Sequence, residues 1–313
     1  MDGQLFGQLL GPTSQAFPGG TPAPVVRISP RSGRVIARSE VLPVGLLVAG
    51  DGAVWLAAAP DPTGQAAGQV YVLDPSTLKV RQQIPMPRGP AATVPYSPPS
   101  GNPSIAIADD GAVWAGTGTE VVRIDPRTGA TSTPVTFPAL VGSLAVGGGR
   151  LYDTYSNADG AGVVEERDAT TGRLLASQLL DSAAGPLLEA AAGTAGVWAS
   201  WRGGMVGTTQ LLAAAGLRVQ PAPKGSRLPW LATRNPSTDV YTQTMGTSVS
   251  TSAGVLWLIG DSTVSCADPG TGVVHATEPN PTDFPLSVAA IGSHLYASGV
   301  SDRLLEITPP AAC

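Results

Sequence analysis

The stretch Gly111-Ala112-Val113-Trp114-Ala115-Gly116, then Glu120-Val121-Val122-Arg123-Ile124, then Asp125-Pro126-Arg127-Thr128-Gly129 decides the fold. It reads as a strand with an aromatic, a second apolar strand and a hairpin turn. In such a turn Asp accepts backbone hydrogen bonds at the first position. Pro pre-sets φ at the second, and Gly takes the left-handed conformation that closes the turn. The opening motif recurs as Gly3-Gln4-Leu5-Phe6, Gly52-Ala53-Val54-Trp55, Gly149-Arg150-Leu151-Tyr152, Ala195-Gly196-Val197-Trp198, Gly254-Val255-Leu256-Trp257 and Ser293-His294-Leu295-Tyr296. The aromatics stand 49, 59, 38, 46, 59 and 39 residues apart. Self-similarity at about 40–50 residues in strand-forming sequence is the period of propeller blades.

The turn recurs as well. Asp268-Pro269-Gly270-Thr271-Gly272 is a full copy. Ser29-Pro30-Arg31-Ser32-Gly33, Asp74-Pro75-Ser76-Thr77 and Asp168-Ala169-Thr170-Thr171-Gly172 are looser ones. Ala213-Ala214-Ala215-Gly216 and Thr308-Pro309-Pro310 are degenerate. The expected fold is all-β: a β-propeller of four-stranded antiparallel blades, with strands a to d running outward from the axis and residues 1–313 forming a single domain. The first copy starts at strand b and the last stops at strand c. Seven blades, one per aromatic motif, are favoured. Six blades with the terminal copies merged are the alternative.

Composition excludes some classes. The 313 residues are 42% hydrophobic and 13% charged, enough for a large core and unlike a disordered chain. The net charge is −5 and no basic run occurs, so no nucleic-acid partner is expected. Only Lys79 and Lys224 are lysines among 18 basic residues. With abundant Ala, Gly and Pro, that is the bias of a high-GC bacterial coding sequence. No stretch approaches the ~18 apolar residues of a membrane span. The N-terminus has no basic region followed by an apolar one, so no signal peptide is read there. A monomer is expected.

Blade geometry assigns faces. The a-to-b and c-to-d turns share one face, where Asp51-Gly52, Asp110-Gly111 and the Asp-Pro turns fall. The long connections 12–24, 59–68, 85–103 and 224–246 share the other. Functional residues favour long loops on rigid scaffolds. The candidate ligand-binding residues are Trp201 and Arg202 at the end of a strand b, Trp230 and Arg234 in 224–246, and Arg88 and Tyr96 in 85–103. Trp and Arg supply rigid contact area and bidentate donors. The repeated aromatics are core. Catalytic signatures are missing: no GxSxG, HExxH or CxxC occurs, and the two histidines, His275 and His294, fall in different blades on the tight-turn side. No catalytic residue, metal or cofactor is expected. Asp61, Asp159, Asp181, Asp239 and Asp283 are scattered loop carboxylates.

The GxVW strand followed by a DPxTG turn resembles the YVTN, NHL and virginiamycin-lyase-like bacterial propellers, over nearly the whole chain. That resemblance implies the fold, and it is compatible with binding, sensing or catalysis. It implies a metal-dependent lyase or hydrolase as the alternative function, although the lyases' histidine maps onto neither His275 nor His294. The favoured function is a non-catalytic binding or sensor module outside the cytoplasm, recognising a small molecule or a protein.

The only cysteines are Cys266 and Cys313. Cys266 precedes its turn by two residues. Cys313 lies four residues beyond Pro309, the corresponding turn Pro of the next blade. Both reach the tight-turn side of neighbouring blades, so a disulfide that latches the chain end is expected, and with it an oxidising compartment. Two separate thiols are the alternative.

Overall fold

The computed structural model describes residues 5–8, 22–58, 68–86, 103–157, 159, 161–180, 187–193, 195–203, 206–218, 248–252, 255–259, 263–279, 285–291, 294–299, 304–307 and 313. Among them there are strands and turns and no helix. The chain divides into two compact units, Met1–Leu144 and Ala145–Cys313.

In the first unit, β1 (Leu5–Gln8), β2 (Ala23–Ile28) and β3 (Val35–Leu42) form a three-stranded sheet. β4 (Gly45–Gly50), β5 (Ala53–Ala58), β6 (Gln69–Leu73) and β7 (Val80–Pro85) form a four-stranded sheet, as do β8 (Ser104–Ile107), β9 (Val113–Thr117), β10 (Glu120–Ile124) and β11 (Val135–Thr136). Strand β12 (Val141–Gly147) crosses the division and joins β13 (Arg150–Ser156), β14 (Gly162–Asp168) and β15 (Leu174–Leu179). The second unit continues with β16 (Leu187–Gly193), β17 (Gly196–Gly203) and β18 (Val206–Ala213), then β19 (Ser248–Ser252), β20 (Val255–Ile259), β21 (Thr263–Ala267) and β22 (Val274–Pro279). It ends with β23 (Pro285–Ile291), β24 (His294–Gly299) and β25 (Leu304–Ile307). Every sheet is an antiparallel meander in chain order, so each aromatic motif has its own sheet.

Two outer strands are short or irregular. Within 130–137 only Val135–Thr136 pairs fully, after an isolated bridge between Ile124 and Thr131. Pro134 has no N–H to give the ladder. The Ser132 hydroxyl takes the Arg123 N–H at 3.0 Å instead. After the Ala213 turn, Leu217 and Arg218 are irregular, and 219–220 lie outside the described residues.

Six of the seven motif aromatics are buried, and Phe6 is half-buried. Trp55 packs with Ile105, Val113, Ala115 and Val122 of the following sheet, Tyr152 with Val197, Ala199 and Leu212, Trp198 with Leu256 and Leu258, and Trp257 with Leu295. Alternation along each b strand sends one side chain forward and the next backward, and β5 and β13 are thereby buried along their length.

The c-to-d turns behave as their sequence requires. In each of Asp74, Asp125, Asp168 and Asp268, Oδ1 accepts the N–H groups two and three residues on, at 2.7–3.1 Å. The fifth residue takes positive φ: 71° at Gly129, 71° at Gly172 and 72° at Gly272. Two copies place leucine there, Leu78 at 58° and Leu217 at 53°. Left-handed backbone costs a non-glycine residue about 1–2 kcal/mol. Both leucines are 0% exposed, and burial of a Leu side chain contributes about 1.5–3 kcal/mol, which offsets the strain.

Three of these turns are also held by the preceding sheet. Arg27 Nη1 donates to Pro75 O at 3.4 Å, Gln82 Nε2 to Thr128 O at 3.5 Å and Trp198 Nε1 to Pro269 O at 2.8 Å. In the last pair the link is covalent: Cys266 and Cys313 form a disulfide with Cα atoms 6.0 Å apart. Cys266 is 0% exposed, in a cluster with Trp257, Val264, Leu295 and Cys313.

Gly272 combines positive φ with close contact, because a Cβ there would collide with the Trp198 ring; Gly33, at φ 64°, has open space instead. Gly272→Ala adds overpacking of about 1–3 kcal/mol to the left-handed cost, whereas Gly33→Ala carries the backbone cost of about 1–2 kcal/mol alone. Urea unfolding of the two variants is expected to show Gly272→Ala as the less stable. Cys313→Ser is expected to lose about 4 kcal/mol, the chain-entropy value for a loop of this length. Reductant should lower the wild-type midpoint and leave that of Cys313→Ser unchanged.

Candidate functional site

The two ends of each sheet differ in chemistry. At the long-connection end, β17 runs into the Gly203–Val206 hairpin. Trp201 pairs there with Leu187 and Thr208, and Arg202 with Gly207. Two of the six expected binding residues thus stand side by side on one strand end. The other four, Trp230, Arg234, Arg88 and Tyr96, lie outside the described residues, as do Asp61, Asp181, Asp239 and Asp283. Asp159 is exposed in the β13–β14 connection. His275 is exposed on β22, and His294 opens β24. Among the described residues no group of three or more His, Cys, Asp or Glu is placed to hold a metal ion.

At the tight-turn end of the first unit lies a cleft of about 480 Å³. Asp51 and Asp110 come from a-to-b turns, Arg123 from β10, and Asp125, Pro126 and Arg127 from the following turn. Its charges are largely committed within the protein. Asp110 Oδ2 accepts from Arg123 Nη2 at 2.5 Å, and Oδ1 from the Ala112 N–H at 3.1 Å. Asp125 is bound into its own turn, where the Thr128 and Arg127 N–H groups hold its carboxyl below the usual range. Asp168 and Asp268 are lowered too, chiefly by the Thr171 N–H and the Thr271 hydroxyl.

The fourth sheet departs most from the repeat. Counting from the motif aromatic, Asp153 occupies the position of Leu56, Ala115, Ala199 and Leu258, all 0% exposed. Arg167 occupies that of Leu73, Ile124, Leu212 and Ala267, and Glu165 that of Val122. Asp153 is itself 0% exposed and stands directly opposite Glu165 across the β13–β14 ladder. Arg167 Nη2 donates to Glu165 Oε2 at 2.5 Å, and its Nη1 donates to Gly172 O at 3.1 Å. Its Nε lies 3.4 Å from Asp153 Oδ2, a charge contact rather than a hydrogen bond. Tyr155 Oη donates to Glu165 Oε1 at 3.0 Å. Burial, and then Glu165, push the Asp153 carboxyl well above its usual range. The same two causes raise Tyr155.

The opposite face of the sheet solves a different problem. The degenerate turn at Ala213 lacks the carboxylate that caps the others. Glu166 supplies it from the neighbouring sheet: Oε1 accepts the Ala215 N–H at 3.1 Å and Oε2 the Gly216 N–H at 2.9 Å. These are the two N–H positions that the turn Asp serves elsewhere. Arg150 Nε pairs with Glu166 Oε1 at 3.0 Å. Burial, then Glu166, push Tyr152 up to about 12. None of these charged residues was singled out from sequence. For Asp153 and Arg167 the signal was present as charge at positions that are apolar in the other copies, whereas the places of Glu165 and Glu166 also hold Gln210, Ser265 and Arg123 elsewhere.

Neither a protein-family model nor a curated protein matches the chain. Solved structures do. Hydrazine synthase of Kuenenia stuttgartiensis aligns with TM-score 0.61 at 11% identity, covering 93% of each chain. BamB of Moraxella catarrhalis aligns with TM-score 0.53 at 14% identity, covering 91% of this chain and 81% of that one. The computationally designed Ika8 protein aligns with TM-score 0.56 at 13% identity, covering 91% and 77%. With its antiparallel four-stranded sheets, this chain is therefore a β-propeller protein.

Glu166→Ala is expected to lose about 2 kcal/mol, as for hydrogen bonds to a charged acceptor. Adding Ala213→Asp should restore most of it by returning the carboxylate to its local place. Chemical denaturation of the single and double variants measures both.

Proposed function

We propose that residues 1–313 act as one β-propeller domain that binds a small molecule or a protein partner, without catalysis, through the long-connection end. One observation carries this reading: the tight-turn end is spent on the scaffold. Its carboxylates cap turns, and its turn carbonyls accept from the preceding sheet at Pro75, Thr128 and Pro269. The other end has the long connections, with Trp230, Arg234, Arg88 and Tyr96 in their sequence and Trp201 and Arg202 on the adjoining strand. Rigid scaffolds present recognition residues in this manner. The Cys266–Cys313 disulfide supports an oxidising compartment outside the cytoplasm.

Thermal-shift measurement against panels of sugars, amino acids, short peptides, nucleotides and divalent cations tests the proposal. A ligand at a hundredfold over its dissociation constant should add about 2.7 kcal/mol. The stabilisation is expected to disappear in the Trp230→Ala, Arg234→Ala double variant and to persist in Arg127→Ala at the tight-turn end. Loss in Arg127→Ala alone would move the site to the tight-turn cleft. Stabilisation by a divalent cation together with turnover of a panel compound would replace binding with catalysis.

A further inference from the structure

The fourth sheet carries a charge imbalance among the described residues. Asp153 and Glu165 bring two carboxylates to one buried face, and Arg167 brings a single guanidinium. Directly opposed antiparallel residues have Cβ atoms about 4.5–5.5 Å apart. Two carboxylates at that separation, out of water, do not both ionise. Glu165 has a donor on each oxygen, from Arg167 and from Tyr155. Among the described residues Asp153, 0% exposed, has only the Arg167 Nε at 3.4 Å beside Oδ2 and no well-formed hydrogen bond on either oxygen. A buried acceptor left in this state calls for a further ligand, and the smallest that balances both charge and hydrogen bonding is a proton.

We propose that the Asp153–Glu165–Arg167–Tyr155 cluster is a binding site for one proton, carried by Asp153 and donated toward Glu165. A protonated carboxyl has one O–H to give, and a carboxylate oxygen accepts more than one hydrogen bond. Asp153 then stands as a neutral acid beside the neutral Glu165–Arg167 pair. The titratable and charged groups facing it among the described residues are Glu165 and Arg167 of β14 and Tyr155 of its own strand. β12 and β15, the flanking strands of the sheet, contain no titratable residue. β16 packs on the opposite face with Tyr152, where Arg150 and Glu166 form their separate pair.

The linkage has a definite sign. A carboxyl raised on folding contributes stability that is complete below its unfolded value, about 4, and is lost as pH rises toward the folded value. Across that window the folded chain holds one proton more, so the unfolding constant rises about tenfold per pH unit. The lowered turn carboxylates Asp125, Asp168 and Asp268 act in the opposite sense and at acid pH. This proton site is independent of the ligand-binding proposal.

Infrared spectroscopy of the whole chain in D₂O tests it. The wild type is expected to show the carbonyl stretch of a buried protonated carboxyl at mildly acidic pH, above the range in which ordinary aspartates titrate. That band should vanish in Asp153→Asn. It should also vanish in Glu165→Gln, where Asp153 ionises against Arg167 alone. Urea unfolding should show the tenfold-per-unit loss in the wild type and not in Asp153→Asn. Absence of the band from the wild type overturns the proposal even if the variants do not fold. So does a band that survives Asp153→Asn, or the same pH slope in both proteins.

Discussion

The capped c-to-d turn is the constraint on which the rest depends. Its carboxylate fixes two backbone N–H groups, and that fixes where the turn's own carbonyl points. Only then can the preceding sheet reach it, as Trp198 reaches Pro269 O at 2.8 Å. The seating of the Trp198 ring follows from the same geometry, because it lies over Gly272 of that turn. At this turn local chemistry and long-range packing are thus one arrangement.

The constraint also explains which departures the repeat tolerates. Leu78 and Leu217 accept left-handed backbone because their side chains are wholly buried. The Ala213 turn accepts the loss of its carboxylate because Glu166 replaces it from 49 and 50 residues away. The last link accepts a disulfide where others use a hydrogen bond. In each case the turn keeps its shape and only the source of the restraint changes. The Asp153 cluster is of another kind. It replaces apolar contacts with charge and restores no turn. Buried ionic groups are weak evidence for stability in themselves, and a break of local consistency is where a specific property is to be sought.

Much of this was legible in the chain. The seven motifs, the turn residues and the Cys266–Cys313 pairing follow from spacing, because each copy repeats the same local solution. The candidate site was legible only in part. Trp201 and Arg202 could be assigned to a strand end, since strand ends follow from the alternation and the hairpin. The charged residues of sheet four were visible as deviations, yet a deviation does not say what it meets.

The amino-acid sequence by itself determined an all-β fold, the placing of most strands and turns, and the burial of six of the seven motif aromatics. These rest on interactions within a few residues: an Asp with the next N–H groups, a glycine's φ, and the alternation of a strand. Only the tertiary structure decided that Glu166 caps the Ala213 turn, that Arg27 and Gln82 reach turns of the next sheet, and that Asp153 faces Glu165 without a well-formed hydrogen bond. Such meetings depend on the register between strands and the spacing between sheets. Both are set by the packing of many side chains at once, and no local pattern encodes them.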